Sequence, residues 1–239
     1  MLGRKKYKRN IRMLVEDQFT MGEKLPFAAA EAYKLLRTNI QFALPDEQKC
    51  RVVGITSSCS GEGKSTTAIN LAYMLAEAGE QVLLIEADMR LPTLSRRLRL
   101  KSAPGLSNIL AGLENAMQSI QPSGIHKNLN FVSAGDIPPN PSELLGSKSM
   151  QTLISVLCNT YDFILLDLPP VTEVADALVA SKLADGMVVV VRQGYANRRA
   201  LAETMRQLEY AEAKVLGFVM TRSKMQTKGK YKYSTYQRS

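Results

Sequence analysis

The sequence contains few of the residues on which several protein classes depend. Its 239 residues include only three cysteines, Cys50, Cys59 and Cys158, and no Cys-x-x-Cys spacing. This pattern indicates neither a disulfide framework nor a structural zinc site. The single histidine, His126, lies in a stretch typical of a loop. We therefore expect a reducing compartment and a catalytic base other than histidine.

Long hydrophobic runs are also missing. The basic residues at positions 1–12 are not followed by an apolar run of signal-peptide length, and no window approaches the roughly 20 apolar residues that cross a bilayer. No repeat is present at the periods typical of solenoids. We expect a cytoplasmic protein that reaches a membrane only through a partner.

The composition excludes wholesale disorder and collagen-like structure, because 45% of the residues are apolar and only 22% are charged. The net charge of +9 is concentrated at the two ends. Positions 1–12 hold six basic residues and positions 224–239 hold five, with no acid in either stretch, which leaves 20 basic and 22 acidic residues elsewhere. A near-neutral body argues against a nucleic-acid-binding face. The ends could attract anionic lipid, nucleic acid or acidic partners, or simply be solvated.

Short β-branched apolar runs alternate with helical patterns from Pro26 onward. Several runs, such as 163–166, are apolar on consecutive residues, as strands buried on both faces require. The alternation predicts one α/β domain in which helices flank both faces of a mainly parallel sheet. Strands are expected at 52–56, 82–86, 129–133, 163–167, 187–192 and 215–221, and helices at 27–42, 65–78, 105–112, 142–157, 174–183 and 197–211.

The chain is expected to divide into three parts: a basic segment over 1–25, a domain over 26–223, and a flexible basic tail over 224–239. The domain begins with a helix at 26–44 ahead of the first strand. Five apolar residues are spaced to fill one face of that helix, namely Ala32, Leu35, Leu36, Ile40 and Ala43.

A glycine-bearing turn that contains a lysine follows the first predicted strand. Residues 58–66 are Ser-Cys-Ser-Gly-Glu-Gly-Lys-Ser-Thr, a Walker A pattern with Ser58 at its first glycine position. Such a turn aims backbone N–H groups and a helix N-terminus at one point, where the phosphates of ATP would lie. Lys64 can reach the β and γ phosphates, and the Ser65 hydroxyl can ligate Mg²⁺. The predicted nucleotide-binding residues are Ser60, Gly61, Glu62, Gly63, Lys64, Ser65 and Thr66.

Two of the predicted strands end in acids. Asp167 closes the run 163–167 in a Walker B pattern, which places it at the carboxyl edge of the sheet beside Mg²⁺. Glu86 and Asp88 close the run that begins at position 82, and their spacing puts them on one side if the strand persists that far. The predicted catalytic residues are therefore Lys64, Glu86, Asp88 and Asp167, and the predicted magnesium ligands are Ser65, Asp88 and Asp167.

These motifs together resemble those of the bacterial tyrosine kinases, the P-loop autokinases of capsular and exopolysaccharide biosynthesis. The three Walker-type motifs of that family resemble residues 56–66, 82–90 and 163–170. Ser60 stands where the family usually has proline, and Glu86 replaces the first aspartate of the second motif. The oligomerisation motif Glu-x-x-Arg-x-x-Arg resembles Glu31, Lys34 and Arg37, and the family's C-terminal tyrosine cluster resembles Tyr231, Tyr233 and Tyr236.

The resemblance implies an ATP-dependent kinase that phosphorylates its own tyrosine cluster in trans, within a ring of copies, and regulates capsular or exopolysaccharide synthesis and export. It also implies activation by the cytoplasmic segment of a separate membrane adaptor of polysaccharide chain-length control, and a cognate tyrosine phosphatase. The kinase would lie at the inner face of the cell membrane through that adaptor. No nucleic-acid partner is expected.

A second hypothesis stays open. The septum-site and chromosome-partition ATPases share this architecture and both Walker motifs, and would make the chain a positioning or scaffold module. Their loops carry an additional lysine at the position of Cys59. The absence of that lysine and the tyrosine-rich tail argue against this alternative.

Overall fold

The computed structural model of this chain describes residues 21–44 and 49–222. The basic residues at positions 1–12, the expected tail and its tyrosines Tyr231, Tyr233 and Tyr236 lie outside the described residues.

Seven strands form one sheet at the centre of the fold. In chain order they are β1 (Arg51–Ser57), β2 (Val82–Glu86), β3 (Gln121–Pro122), β4 (Leu129–Val132), β5 (Phe163–Asp167), β6 (Gly186–Arg192) and β7 (Val215–Thr221). Across the sheet the order is β3-β4-β2-β5-β1-β6-β7. The two-residue β3 pairs antiparallel with β4, and every other neighbouring pair is parallel. The predicted parallel α/β sheet is confirmed.

Nine α-helices connect these strands within the described residues. They are α1 (Phe27–Ala43), α2 (Lys64–Glu77), α3 (Leu94–Leu98), α4 (Leu106–Leu110), α5 (Ala116–Ser119), α6 (Pro141–Leu145), α7 (Lys148–Leu157), α8 (Asp176–Ser181) and α9 (Arg198–Tyr210). Among the helices of the described ranges, none combines the length and the apolar character needed to cross a bilayer.

The helix predicted over 142–157 is in fact two helices. α6 ends at Leu145 and α7 begins at Lys148. The Ser147 hydroxyl accepts a hydrogen bond from the Met150 amide at 3.1 Å, which caps the new helix. A serine at this position satisfies an N–H group that would otherwise lack a partner at the start of a helix.

The central strands of the sheet are buried on both faces, as their uninterrupted apolar runs require, whereas Phe218 and Met220 of the edge strand β7 are exposed. On one face, Leu84 and Leu165 pack with Leu71 and Leu75 of α2. On the other face, Ile85, Ile164 and Leu166 pack with apolar residues of α7, α8 and α9. The central strands therefore support their carboxyl edge with apolar packing on both sides.

The predicted inner face of α1 is wrong in part. Leu36 and Ile40 pack against the core, but Ala32, Leu35 and Ala43 are exposed. The charged Arg37 takes an inner position because its Nη1 donates to the Met74 carbonyl of α2 at 2.8 Å. The spacing of apolar residues alone does not reveal that a backbone carbonyl will accept a hydrogen bond from an arginine on the inner side of the helix.

The folded domain also begins earlier than expected. Gly22 opens a 3₁₀ turn (Gly22–Lys24), is buried, and donates its amide to the Asn70 side chain at 3.2 Å. Its φ is +58°, and a Cβ there would lie 3.1 Å from the Tyr73 ring. Residues 21–25 thus pack on α2, ahead of the boundary expected at residue 26.

Candidate active site

The carboxyl ends of three neighbouring strands meet at one place on the sheet. β5 lies between β1 and β2, and Asp167 is in register with Glu86 on one side and with Ile55 on the other. The loop that follows β1 and the acids at and just after the end of β2, Glu86 and Asp88, are therefore brought together with Asp167. In open α/β sheets this is the edge at which ligands bind.

The loop after β1 leads directly into α2 and needs its glycines. Gly61 and Gly63 have φ values of +82° and +101°, a region that favours glycine. A Cβ on Gly63 would also lie 3.2 Å from Cγ2 of Thr221. The first residue of α2 is Lys64, so the loop presents the N-terminus of a 14-residue helix, where an anion is favoured.

Side chains from other elements bind the carbonyl groups of this loop. Tyr195 Oη donates to the Ser60 carbonyl at 3.2 Å, Arg192 Nη1 to the Gly61 carbonyl at 3.2 Å, and Thr221 Oγ1 to the Glu62 carbonyl at 2.7 Å. In a trans peptide the N–H of the next residue points the opposite way from the carbonyl. The N–H groups that follow these three carbonyls therefore point away from the side chains that bind the carbonyls.

Glu62 lies in the loop but its side chain does not face outward. It is only 1% exposed, and its Oε2 accepts a hydrogen bond from the Cys59 amide at 2.9 Å. Its carboxylate therefore stabilises the loop from within. A contact of Glu62 with a nucleotide would come from its backbone.

Lys64 is held between two acids. Its Nζ lies 2.7 Å from Oδ2 of Asp88 and 3.7 Å from Oδ1 of Asp167. Burial lowers the pKa of the lysine, but the neighbouring charges of Asp167 and Asp88 outweigh this and raise the pKa overall. Lys64 is therefore a fixed cation at the start of α2.

Asp167 lies at the bottom of the site and is 1% exposed. Burial raises its pKa to about 6; Lys64 and Ser65 oppose the rise, whereas Asp88 and Glu86 add to it. Among the described residues, its buried Oδ1 makes no hydrogen bond. A buried carboxylate oxygen of this kind calls for a compensating group.

The predicted magnesium ligands suit that role. Ser65, Asp88 and Asp167 supply only oxygen atoms, which are the ligands that Mg²⁺ prefers. All three are at most 6% exposed. A divalent cation would both satisfy Oδ1 of Asp167 and lower the pKa that burial has raised. The residues present therefore fit the metal.

Glu86 does not take the position expected of a catalytic residue. β2 ends at Glu86, so the strand does not continue to Asp88. The fully buried carboxylate accepts hydrogen bonds from backbone N–H groups of Leu94, Ser95 and Ala134. Glu86 thus anchors the start of α3, and the prediction that it faces a metal or a hydroxyl group is not supported by this geometry.

A cleft of about 600 Å³ opens above these residues. It is lined by the predicted Ser60, Gly61, Gly63, Lys64, Ser65, Thr66 and Asp88, and also by residues that the sequence did not single out, including Thr93, Arg97 and Glu173. Arg97 Nη1 donates to Thr66 Oγ1 at 3.1 Å, and a carboxylate oxygen of Glu173 accepts from the Ser60 amide at 2.7 Å. Neither Arg97 nor Glu173 belongs to a recognisable motif, so no signal in one sequence marks them.

The segment after Asp88 is fixed by a second ion pair. Arg90, which also lines the cleft, donates from Nε and Nη2 to the two carboxylate oxygens of Asp176 at 2.8 and 3.0 Å. Asp176 is fully buried at the start of α8. This paired geometry is strong and directional, and it fixes the loop that carries Asp88.

The residues of the expected oligomerisation motif divide between the two sides of α1. Glu31 and Lys34 are solvent-accessible and form an ion pair at 3.0 Å. Arg37 points toward α2, as described above. The motif is therefore not one continuous exposed face.

Comparison with known proteins identifies the family. A family model described as an AAA domain matches residues 50–216. The chain is 41% identical to the tyrosine-protein kinase YwqD of Bacillus subtilis over 204 residues, 85% of each protein. The chain belongs to the bacterial tyrosine kinases. This is a family of P-loop enzymes that phosphorylate protein tyrosine.

Solved structures agree with this assignment of the kinase. The chimerical protein CapA2B2 matches with a TM-score of 0.74 at 37% identity, over 79% of the kinase and 82% of that chain. The septum site-determining protein MinD from Pyrococcus horikoshii, complexed with Mg-ADP, matches with a TM-score of 0.61 at 26% identity, over 73% and 72%. The kinase thus shares its fold with nucleotide-binding P-loop proteins.

Proposed function

We propose that the kinase uses ATP and Mg²⁺ to phosphorylate the tyrosines of its own C-terminal segment, Tyr231, Tyr233 and Tyr236. The observation that carries this proposal is the position of Lys64. The lysine lies at the N-terminus of α2, between Asp88 at 2.7 Å and Asp167 at 3.7 Å. A cation, a helix N-terminus and two carboxylates at one sheet edge meet the needs of phosphoryl transfer.

Each residue of the site has a defined task in that reaction. The loop N–H groups and Lys64 would bind the phosphates. Ser65 and Asp167 would hold the metal, and Asp88 would either support the metal or accept the tyrosine proton. When bound, Mg²⁺ supplies charge neutralisation of the phosphoryl group. Glu86 positions α3 through its bonds to the amides of Leu94 and Ser95.

Asp88 is proposed to accept the proton of the tyrosine hydroxyl. Its Oδ1 accepts from the Leu91 amide at 3.1 Å and its Oδ2 from Lys64. An incoming phosphate competes with Asp88 for Lys64, since both are anions. Once Lys64 has turned to the phosphate, Oδ2 of Asp88 becomes available as an acceptor.

The C-terminal segment suits this site by charge. Lys230 and Lys232 flank Tyr231, and the whole stretch 224–239 contains no acid. Basic residues favour approach to a cleft that holds acids and nucleotide phosphates. Adding about −1.5 to −2 charges per phosphotyrosine would reverse that preference and favour release.

We infer that phosphorylation occurs in trans, within a ring of copies held together through α1. Two large apolar side chains on this helix, Leu35 and Phe42, are 61% and 85% exposed. They lie on the same outward side as Glu31 by helical spacing. An exposed apolar stripe next to an ion pair is typical of a protein interface.

The regulatory role that fits this enzyme is control of capsular or exopolysaccharide synthesis and export. We propose that a membrane adaptor, on a separate polypeptide, activates the kinase through its cytoplasmic segment. A cognate tyrosine phosphatase would reverse the modification. The kinase would then act at the inner face of the cell membrane.

A positioning or scaffold ATPase is the second candidate, and the structural match to MinD favours it. One experiment separates the two. The full chain is incubated with Mg-ATP and the adaptor's cytoplasmic segment, and phosphate is located by mass spectrometry. Phosphotyrosine at Tyr231, Tyr233 or Tyr236 supports the kinase, and free phosphate alone supports the ATPase.

Lys64→Met is the variant expected to be inactive. Lys182→Met is the control, because Lys182 is an exposed lysine at the end of α8. Phosphotyrosine should disappear in the first and persist in the second. Full activity of Lys64→Met would refute the proposed site.

A further inference from the structure

Arg97 is a further cation that lines the cleft, besides Lys64 and the Arg90 that pairs with Asp176. Arg97 lies on α3, lines the cleft, and is half-buried. Its guanidinium donates from Nη1 to Oγ1 of Thr66 at 3.1 Å. Thr66 is the third residue of α2, directly after Lys64 and Ser65. Arg97 is thus brought to the first turn of the helix whose N-terminus attracts anions.

The position of Arg97 is fixed by the contacts that hold α3. The buried carboxylate of Glu86 accepts hydrogen bonds from the amides of Leu94 and Ser95, the first residues of α3. α3 has only five residues, so this anchoring and the packing of the buried Leu94 and Leu98 set its direction. Arg97 is therefore held at the cleft by the rest of the fold.

The guanidinium of Arg97 is partly removed from solvent. Burial lowers its pKa, the charge of Arg96 lowers it further, and the attraction of Asp167 and Glu86 does not restore it. An anion that enters the cleft would stabilise the charged form of the guanidinium against this burial.

We propose that Arg97 is a second phosphate-binding cation of the nucleotide site and contacts the phosphate chain on the side of Thr66. This proposal rests on nucleotide binding at the cleft. A guanidinium presents a planar set of donors that matches the oxygen atoms of a phosphate. Arg97 and Lys64 place positive charge at two separate points along the loop and the first turn of α2. Arg97 can therefore remain on the phosphates while Lys64 exchanges between Asp88 and phosphate.

The competing interpretation is that Arg97 only joins α3 to α2. The two roles differ in charge dependence. A hydrogen bond to Thr66 can be made by a neutral side chain, whereas attraction to phosphate requires a cation and is screened by salt.

The test is calorimetric titration of the full chain with Mg-ADP at low and at high salt. Arg97→Ala should weaken ADP binding by about tenfold to a hundredfold, the range expected for a lost charged hydrogen bond, and should flatten the dependence of affinity on salt. Arg97→Lys should recover part of the affinity and its salt dependence. Arg96→Ala, at the exposed neighbour on the same helix, should bind ADP as the unchanged chain does.

Arg97→Gln keeps a long polar side chain that can still reach Thr66, so it serves if Arg97→Ala does not fold. It should lose affinity and salt dependence as the alanine variant does. Unchanged ADP affinity in either variant, or a loss with an unchanged salt slope, would overturn the proposal while leaving the nucleotide site intact. If the unchanged chain binds no ADP at all, the proposed function fails together with this inference.

Discussion

The Glu173 carboxylate accepts a hydrogen bond from the Ser60 amide at 2.7 Å, at the mouth of the phosphate loop. An anionic side chain thus binds a loop amide of the kind that phosphate oxygens use in P-loop proteins. Glu173 is exposed and lies in the segment between β5 and α8, so it can swing away without disturbing the core.

Removing this carboxylate should strengthen nucleotide binding. In Glu173→Ala the Ser60 amide no longer has an internal partner and the cleft loses a negative charge. We expect Mg-ADP affinity to rise by about twofold to fivefold, as one exposed charge interaction allows. Titration calorimetry measures the change, and Glu114→Ala, at an exposed acid elsewhere, is the control. Weaker binding would mean that Glu173 instead holds the loop in its binding conformation.

Asp167 should make the metal-free protein less stable at neutral pH. Its pKa in the folded state is about 6, above the ordinary 3.8. The folded state therefore binds this proton more tightly than the unfolded state, so the contribution of Asp167 to stability is full at low pH and is lost as the pH rises through about 6.

Asp167→Asn mimics the protonated acid and removes that cost. At about pH 7.5 without metal, the variant should gain about 1–3 kcal/mol of unfolding free energy, and at about pH 4 the difference should vanish. Urea titration measures both. Mg-ADP should stabilise the unchanged chain far more than the variant. A variant less stable than the unchanged chain at pH 7.5 is the outcome that contradicts this assignment.

Exchange of Lys64 between Asp88 and phosphate predicts a specific kinetic pattern. Asp88→Asn keeps the shape of the side chain but cannot take the tyrosine proton and no longer pairs with Lys64 as a charge. Phosphotyrosine formation should fall by about a hundredfold or more, in the range for loss of a general base, whereas affinity for ADP measured without Mg²⁺ should fall much less. If phosphotyrosine formation and ADP affinity fell equally, Asp88 would act in nucleotide binding alone.

Transfer between copies can be separated from transfer within one copy by mixing two variants. The first is Lys64→Met, which retains the acceptors. The second carries Tyr231→Phe, Tyr233→Phe and Tyr236→Phe, and retains the catalytic site. Phosphate on the Lys64→Met chain shows transfer in trans, and its absence in the mixture, with activity in the unchanged chain, shows transfer in cis. The length of the C-terminal segment does not decide between transfer in cis and in trans, because the ten residues from Thr221 to Tyr231 can extend over about 36 Å.

Assembly through α1 is best tested at Glu31, not at Arg37. Arg37→Ala removes the bond to the Met74 carbonyl and should lower stability by about 1–3 kcal/mol, which confounds any change in assembly. Glu31→Arg alters an exposed ion pair worth less than about 1 kcal/mol, so the fold should persist. Sedimentation should show a smaller species for Glu31→Arg and an unchanged one for Glu209→Arg, at an exposed acid of α9. Identical sedimentation of both variants would exclude Glu31 from the interface.

The sheet and the centre of the site were predictable because their signals are local. Strands such as β5 and β6 consist of consecutive apolar residues, and Lys64, Ser65 and Asp167 stand directly beside glycines or at the end of such a run. Functional residues that lie next to an apolar strand run or a glycine-bearing loop can be predicted from that local pattern.

The remaining parts depend on contacts between distant segments. Glu86 was expected to face a metal because nothing in the sequence marks the short helix α3, whose amides it binds. Arg97 and Glu173 reach the loop from segments 31 and 113 residues away from their partners. The break between α6 and α7 depends on one serine cap within an otherwise helical pattern.

The hydrogen bond from Thr221 to the Glu62 carbonyl fastens the end of β7 to the peptide between the two glycines of the loop. In the sequence, β7 is followed by the segment that holds the proposed acceptor tyrosines. If that peptide moves when phosphates bind, the end of β7 is the first part of the sheet that we expect to respond. Nucleotide binding would then influence how the proposed acceptor tyrosines are presented.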